Sequence, residues 1–180
     1  MARTWLSIQV TLVEGRGEFY WPRPGRVFAA ARSHTFLQLA QSVDLAFARW
    51  DRGHLHAFDL QDGTRIGVPE ADVFAEGLLD GEAVKLSRLA LGERFAYEFD
   101  FGDRWTHLCE VAPEKIDPLD EFATTPLSPA PYWGWGEIPD QYGRRFDSDD
   151  GESKIPPDPE RKDLPPLRPW WGDQRRSKRR

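Results

Sequence analysis

Residues 95–107, Phe-Ala-Tyr-Glu-Phe-Asp-Phe-Gly-Asp-Arg-Trp-Thr-His, carry the clearest strand pattern in the chain. Phe95, Tyr97, Phe99 and Phe101 alternate with Ala96, Glu98 and Asp100, the period of two that sends every ring to one face of a β-strand. Gly102 and Asp103 supply turn chemistry and 105–111 leads back, so 94–111 reads as a β-hairpin with one strongly aromatic face. Such a face must be covered. A cover stands upstream, where Phe36, Ala40, Val43, Phe47 and Trp50 fall on one stripe of a 3.6-residue period. With Ser33 or Thr35 as cap, that stripe predicts a helix over 35–50.

Further out, Leu6, Ile8, Val10 and Leu12 alternate with polar residues and predict a strand over 5–13 with one buried face. Residues 18–21 pair back on it before Pro22 and Pro24, and 26–30 form another strand. Residues 54–60 and 64–68 read as strands about the turn Gln61-Asp62-Gly63, with short elements at 71–79, a helix, and 84–91. Twelve of the fifteen prolines lie at or beyond Pro113, which predicts a long Pro/Gly/aromatic loop laid over the body. The expected architecture is a single α+β domain over 1–150: a mixed or mostly antiparallel sheet with helices packed on one face. A flexible, extended, Pro/Arg-rich tail is expected over 151–180.

Composition narrows the function. The 180 residues carry 24 Lys and Arg against 30 Asp and Glu, a net charge of −6. Five of those cations are Arg175, Arg176, Lys178, Arg179 and Arg180; without them 19 face 30, and the rest of the chain stands at −11. An acidic body of this kind has no field that holds a nucleic-acid backbone, but its basic tip, with Trp170 and Trp171 as stacking surfaces, has the parts of a single-strand-binding arm. Nucleic acid is therefore a possible partner through the tail alone. No apolar run reaches the 18 or so residues of a membrane span, and no signal-peptide pattern opens the chain, so a cytoplasmic protein without a membrane partner is expected. The single Cys109 allows no internal disulfide, and its apolar neighbours predict a buried, inert thiol. Neither a phosphate-cradling Gly-x4-Gly-Lys loop nor a Gly-x-Ser-x-Gly elbow is present.

The candidate site residues fall in three groups. His54 and His56, two apart on a predicted strand, leave the same face; with Asp100, Asp103 and His107 they are the raw material of a His and carboxylate cluster. Spacing fixes no third ligand, so no metal and no cofactor is assigned, and structural imidazoles are the better reading. At the hairpin tip, Gly102 is expected to take a positive φ, Asp103 to accept backbone N–H bonds and Trp105 to anchor the return strand. The aromatic group of Tyr132, Trp133, Trp135 and Tyr142, interleaved with Gly and Pro, is expected to pack as a flap or to present a binding surface.

Two blocks, Ala-Phe-Ala-Arg-Trp-Asp-Arg-Gly-His-Leu-His-Ala-Phe-Asp-Leu at 46–60 and the hairpin at 95–107, together resemble the Ri-plasmid open-reading-frame-three-like family. Its members carry His-Leu-His-x-Phe after a helix and later Tyr-Glu-Tyr-Asp-Phe-Gly-Asp-x-Trp-x-His, and the resemblance spans about 4–145. It implies a compact α+β domain associated with plasmids or transposons, without an established activity. The family's Cys-Pro-Pro-Glu-Asp-x-Gly-Gly segment is altered here to a stretch that keeps Glu137, Pro139, Asp140, Tyr142 and Gly143 but has neither the Cys nor the Gly-Gly. A role resting on that Cys is not carried over. The expected function is a non-catalytic binding module with a protein partner, carried by the hairpin tip, His54, His56 and the aromatic stretch. Its rivals are a metal-assisted hydrolase or nucleic-acid-processing enzyme built on the His/Asp cluster, and an accessory nucleic-acid-binding protein acting through the tail.

Overall fold

The computed structural model describes residues 5–70, 76–144, 149 and 151. Nine strands form one sheet: β1 Trp5–Gly15, β2 Glu18–Phe19, β3 Gly25–Ala31, β4 His56–Leu60, β5 Arg65–Gly67, β6 Leu79–Asp80, β7 Arg94–Phe99, β8 Trp105–Ile116 and β9 Ala130–Trp135. Their order is β6-β5-β4-β7-β8-β1-β3-β9, with β2 pairing beside β1. Every pairing is antiparallel except β5 with β6. The helices described are α1, Phe36–Ala46, α2, Pro118–Phe122, and a single 3-10 turn at Leu86–Arg88. This is a mostly-β fold, which corrects the expected α+β class. The proline count misled: β9 forms within the stretch expected to be a loop, because Pro131 lies on an edge strand, where a missing N–H costs nothing.

The hairpin forms as its alternation predicts, with Phe95, Tyr97 and Phe99 buried and paired across to Cys109, His107 and Trp105. Phe36 of α1 meets that face edge-on, its ring centroid 5.1 Å from Phe58 and 6.3 Å from Phe95. Leu39, Ala40 and Val43 extend the same core. A capping box starts α1: Thr35 accepts from the Gln38 N–H, and the Gln38 side chain accepts from the Thr35 N–H. The helix stops four residues short of the predicted Trp50. Ala48 turns left-handed at φ 56°, and the N–H groups of Ala48 and Arg49 bond back to the carbonyls of Leu45 and Asp44. These are the two bonds of a Schellman stop, here with Ala where Gly is usual.

Strand β1 is buried on both faces, where one was expected. Leu6, Ile8, Val10 and Leu12 enter the main core, while Trp5 on the other side clusters with Ala29, Ala31, Ile116, Phe122 and Tyr132. Ser7 on that side is satisfied by a 2.7 Å hydrogen bond with the Tyr132 hydroxyl. At the far end of β1, the Trp105 ring lies so close on Gly15 that any Cβ there would overlap it. We expect Gly15→Ala to cost about 1–3 kcal/mol by overpacking. Urea unfolding checks this; an unchanged midpoint would mean that the ring yields freely. The helix expected over 71–79 falls largely outside the described residues, and Leu79 at its end lies in β6. Most of the predicted tail, including Trp170, Trp171, Arg175, Arg176, Lys178, Arg179 and Arg180, lies outside them too.

Candidate functional site

Two polar centres flank the stretch between α1 and β4, one at the rim of the sheet and one in its core. The rim is assembled from three distant segments. His54 precedes β4, which begins only at His56, so the two imidazoles do not share a strand face as expected. His54 Nδ1 lies 3.4 Å from Asp100 Oδ2, and its Nε2 lies 2.8 Å from the Tyr142 hydroxyl and 3.4 Å from Asp51 Oδ2. Tyr142 donates to Asp51 Oδ2 at 2.7 Å. That hydrogen bond holds the Asp51 carboxyl below its ordinary range. Burial, the same bond and the charges of Asp51, Asp100 and Asp103 push the Tyr142 hydroxyl up.

Asp100 shapes the hairpin tip. It takes a left-handed φ of 59°, and its Oδ1 accepts from the N–H groups of Gly102 and Asp103. These roles were expected of Gly102 and Asp103. Gly102 has no positive φ, and it is Arg104, at 54°, that completes the turn. Asp103 instead faces Arg16 at 4.0 Å.

A strap, residues 138–144, ties the rim together. Gln141 accepts from the Asp51 N–H and donates to the Asp51 carbonyl. Asp140 bonds Arg144 Nε at 2.7 Å and Trp50 Nε1 at 3.2 Å, with the Arg144 guanidinium 4.5 Å over the Trp50 ring. The sequence marks Trp50 only as part of the helix stripe and Asp140 only as a residue kept from the family segment. Neither these nor Asp51, Gln141 and Arg144 were named as site residues, since the contacts joining Trp50 and Asp51 to the strap span about ninety residues.

The inner centre was also missed. Asp44 sits on the buried stripe of α1 and accepts from the Tyr97 hydroxyl at 2.7 Å. Burial pushes its carboxyl up to about 7. Arg49, swung inward by the Schellman turn, stacks its guanidinium 3.6 Å over Trp105, and burial pulls it down to about 10. His107 is wholly buried, its Nδ1 donating to the Tyr97 carbonyl at 3.2 Å, and burial aided by the Arg49 charge pulls it down to about 3. A charged residue on an apolar helix stripe was the legible signal, and it stood at Asp44.

The site residues expected to converge are thus divided. His54, Asp100 and Tyr142 meet at the rim, with Asp103 beside them; Trp105 and His107 belong to the core. His56 tilts on Tyr97 at 6.0 Å and is pulled down by burial. Trp133 and Trp135 lie on β9, where the Trp135 indole donates to the Arg23 carbonyl. Among the described residues no three His, Cys, Asp or Glu side chains are grouped to hold a metal ion. The proposed His/Asp metal cluster is therefore not formed, since the hairpin pairing draws His107 inward and leaves His54 outside. Cys109 is buried and its thiol pushed up, as an inert core residue should be. No described helix is long and apolar enough to cross a membrane.

The fold and rim define a class: a mostly-β single-sheet protein whose His-Leu-His segment and hairpin tip are locked together by a downstream strap. The chain belongs to the plasmid pRiA4b ORF-3-like protein family, whose model matches residues 8–130. A solved structure, that of a protein of unknown function from Methanosarcina mazei Go1, superposes with a TM-score of 0.59 at 19% identity, covering 79% of this chain and 76% of the other. The two share a fold. No curated protein matches the chain.

Proposed function

We propose that this protein is a non-catalytic binding module that takes a basic segment of a protein partner at the rim. The observation that supports it is the convergence of Asp51, Asp100 and Asp103 around His54 and Tyr142, with Asp51 and Asp103 still 42% and 34% exposed. Catalysis finds little to work with there. Both nitrogens of His54 face carboxylates or the Tyr142 hydroxyl, and that hydroxyl is bound to Asp51 and pushed away from ionisation. An acidic, hydrogen-bonded, partly open surface on a strongly acidic body suits a lysine or arginine side chain instead. The plasmid association implied by the family is consistent with an accessory, partner-dependent role.

Calorimetry against a panel of Lys/Arg-containing peptides tests the reading, with Asp103→Asn as the variant least tied into the strap. The expected result is submillimolar or tighter binding to a subset of the basic peptides, weakened about tenfold in Asp103→Asn, because a tenfold change is about 1.4 kcal/mol. Removal of residues 172–180 leaves it intact. Indifference to Asp103→Asn, or binding only to single-stranded nucleic acid and only with the tail present, would overturn the reading.

A further inference from the structure

The core holds an arginine whose bidentate edge has no protein acceptor. Arg49 is 1% exposed, yet its Nε and Nη2 have no hydrogen-bond partner. Its one hydrogen bond is a long one, from Nη1 to the Pro139 carbonyl at 3.5 Å. Among the described residues no carboxylate stands within ion-pair distance of it, and Asp44, the acid of this centre, accepts from the Tyr97 hydroxyl. Taking a guanidinium out of water costs several kcal/mol, and proteins ordinarily offset this by a carboxylate received on two parallel N–H bonds. Nε and Nη2 form such an edge. The indole of Trp105, stacked under the guanidinium at 3.6 Å, also has a buried Nε1 without a partner.

We propose that Arg49 and Trp105 form an enclosed binding site for a tetrahedral oxyanion of the phosphate type. Two of its oxygens lie on the Nε and Nη2 edge, and a third accepts from the Trp105 indole. Stacking explains the preference for a tetrahedral ligand. The guanidinium and indole donate in separate, stacked planes, and a planar carboxylate that fills the arginine edge has no further oxygen out of that plane, whereas a phosphate does. Pro139 belongs to the strap, so the segment that fastens the rim also contributes a carbonyl beside this arginine. The inference uses none of the rim carboxylates and stands apart from the partner-binding reading.

Binding of inorganic phosphate to the full chain is the test, followed by calorimetry and thermal unfolding at constant ionic strength held with chloride. The expected result is saturable binding with a melting point raised by about 5–10 °C at a hundredfold excess over Kd. Arg49→Lys, which keeps the charge but not the edge, loses the response; Trp105→Phe, which keeps the stack but not the N–H, weakens it several-fold. Acetate binds more weakly than phosphate, and Asp103→Asn responds like the parent. Absence of phosphate binding by the parent chain would overturn the proposal and leave ordered water as the partner of Arg49. An equal response from parent, Arg49→Lys and Trp105→Phe would do the same, since phosphate then acts as a general stabilising salt.

Discussion

Replacing Asp44 with Asn is expected to make stability rise with pH between about 4 and 6.5 relative to the parent, and replacing His107 with Gln to make it fall. The two groups titrate with opposite consequences. Asp44, pushed up to about 7 in the fold from 3.8, holds a proton that the unfolded chain releases. Its contribution is therefore unfavourable and grows as pH rises from about 4 to 7, by about 4 kcal/mol at 1.36 kcal/mol per unit. His107, pulled down to about 3 from 6.5, stays neutral where the unfolded chain takes up a proton. Its penalty grows as pH falls from about 6.5 towards 3, by about 4–5 kcal/mol in all and about 3–4 kcal/mol of it above pH 4. The two slopes nearly cancel in the parent. Urea unfolding from pH 4 to 7, read as the difference between each variant and the parent, isolates each group, because the other titrating residues are common to both curves. Parallel curves would show that Asp44 and His107 meet water in the folded state.

Asp140→Ala is expected to destabilise the fold by about 3–5 kcal/mol, the range for removing one partner of a buried charge pair. Asp140 and Arg144 are 4% and 0% exposed as side chains, and one carboxylate serves Arg144 Nε, the Trp50 indole and the backbone N–H groups of Tyr142 and Arg144. Its loss takes from the buried Arg144 the carboxylate bound at Nε and removes the strap's hold on Trp50. Asp140→Asn, which keeps an acceptor and loses the charge, should cost less. A denaturation midpoint within about 1 kcal/mol of the parent would mean that the strap adds little to the stability of the sheet.

Much of the framework was legible because strand and helix periods are local. The alternations at 5–13 and 94–101 became β1 and β7, and Thr35 with Gln38 became a capping box. The helix end was not legible, since Ala48 carries no sign that it will turn left-handed; the surrounding core imposes that turn and so sends Arg49 inward and Trp50 outward. Strand β9 was missed for a related reason. Twelve prolines at and beyond Pro113 count against regular structure, yet an edge strand tolerates proline, and which strand lies at an edge is a property of the sheet order.

The candidate site divides along the same line. His54, Asp100 and Tyr142 were chosen for their chemistry and do meet, but that meeting depends on the strap, whose contacts reach back about ninety residues. His56 and His107 bear the same imidazole and end in different surroundings, one against Tyr97 near the surface of the core and one wholly buried. Local sequence established most of the strands, the amphipathic helix, the family and the inventory of titratable groups. Strand order, the second buried face of β1, the inward turn of Arg49 and the ionisation of Asp44 came from tertiary packing. Backbone periodicity is set by near neighbours, whereas desolvation and convergence depend on which remote segments exclude water from a given atom.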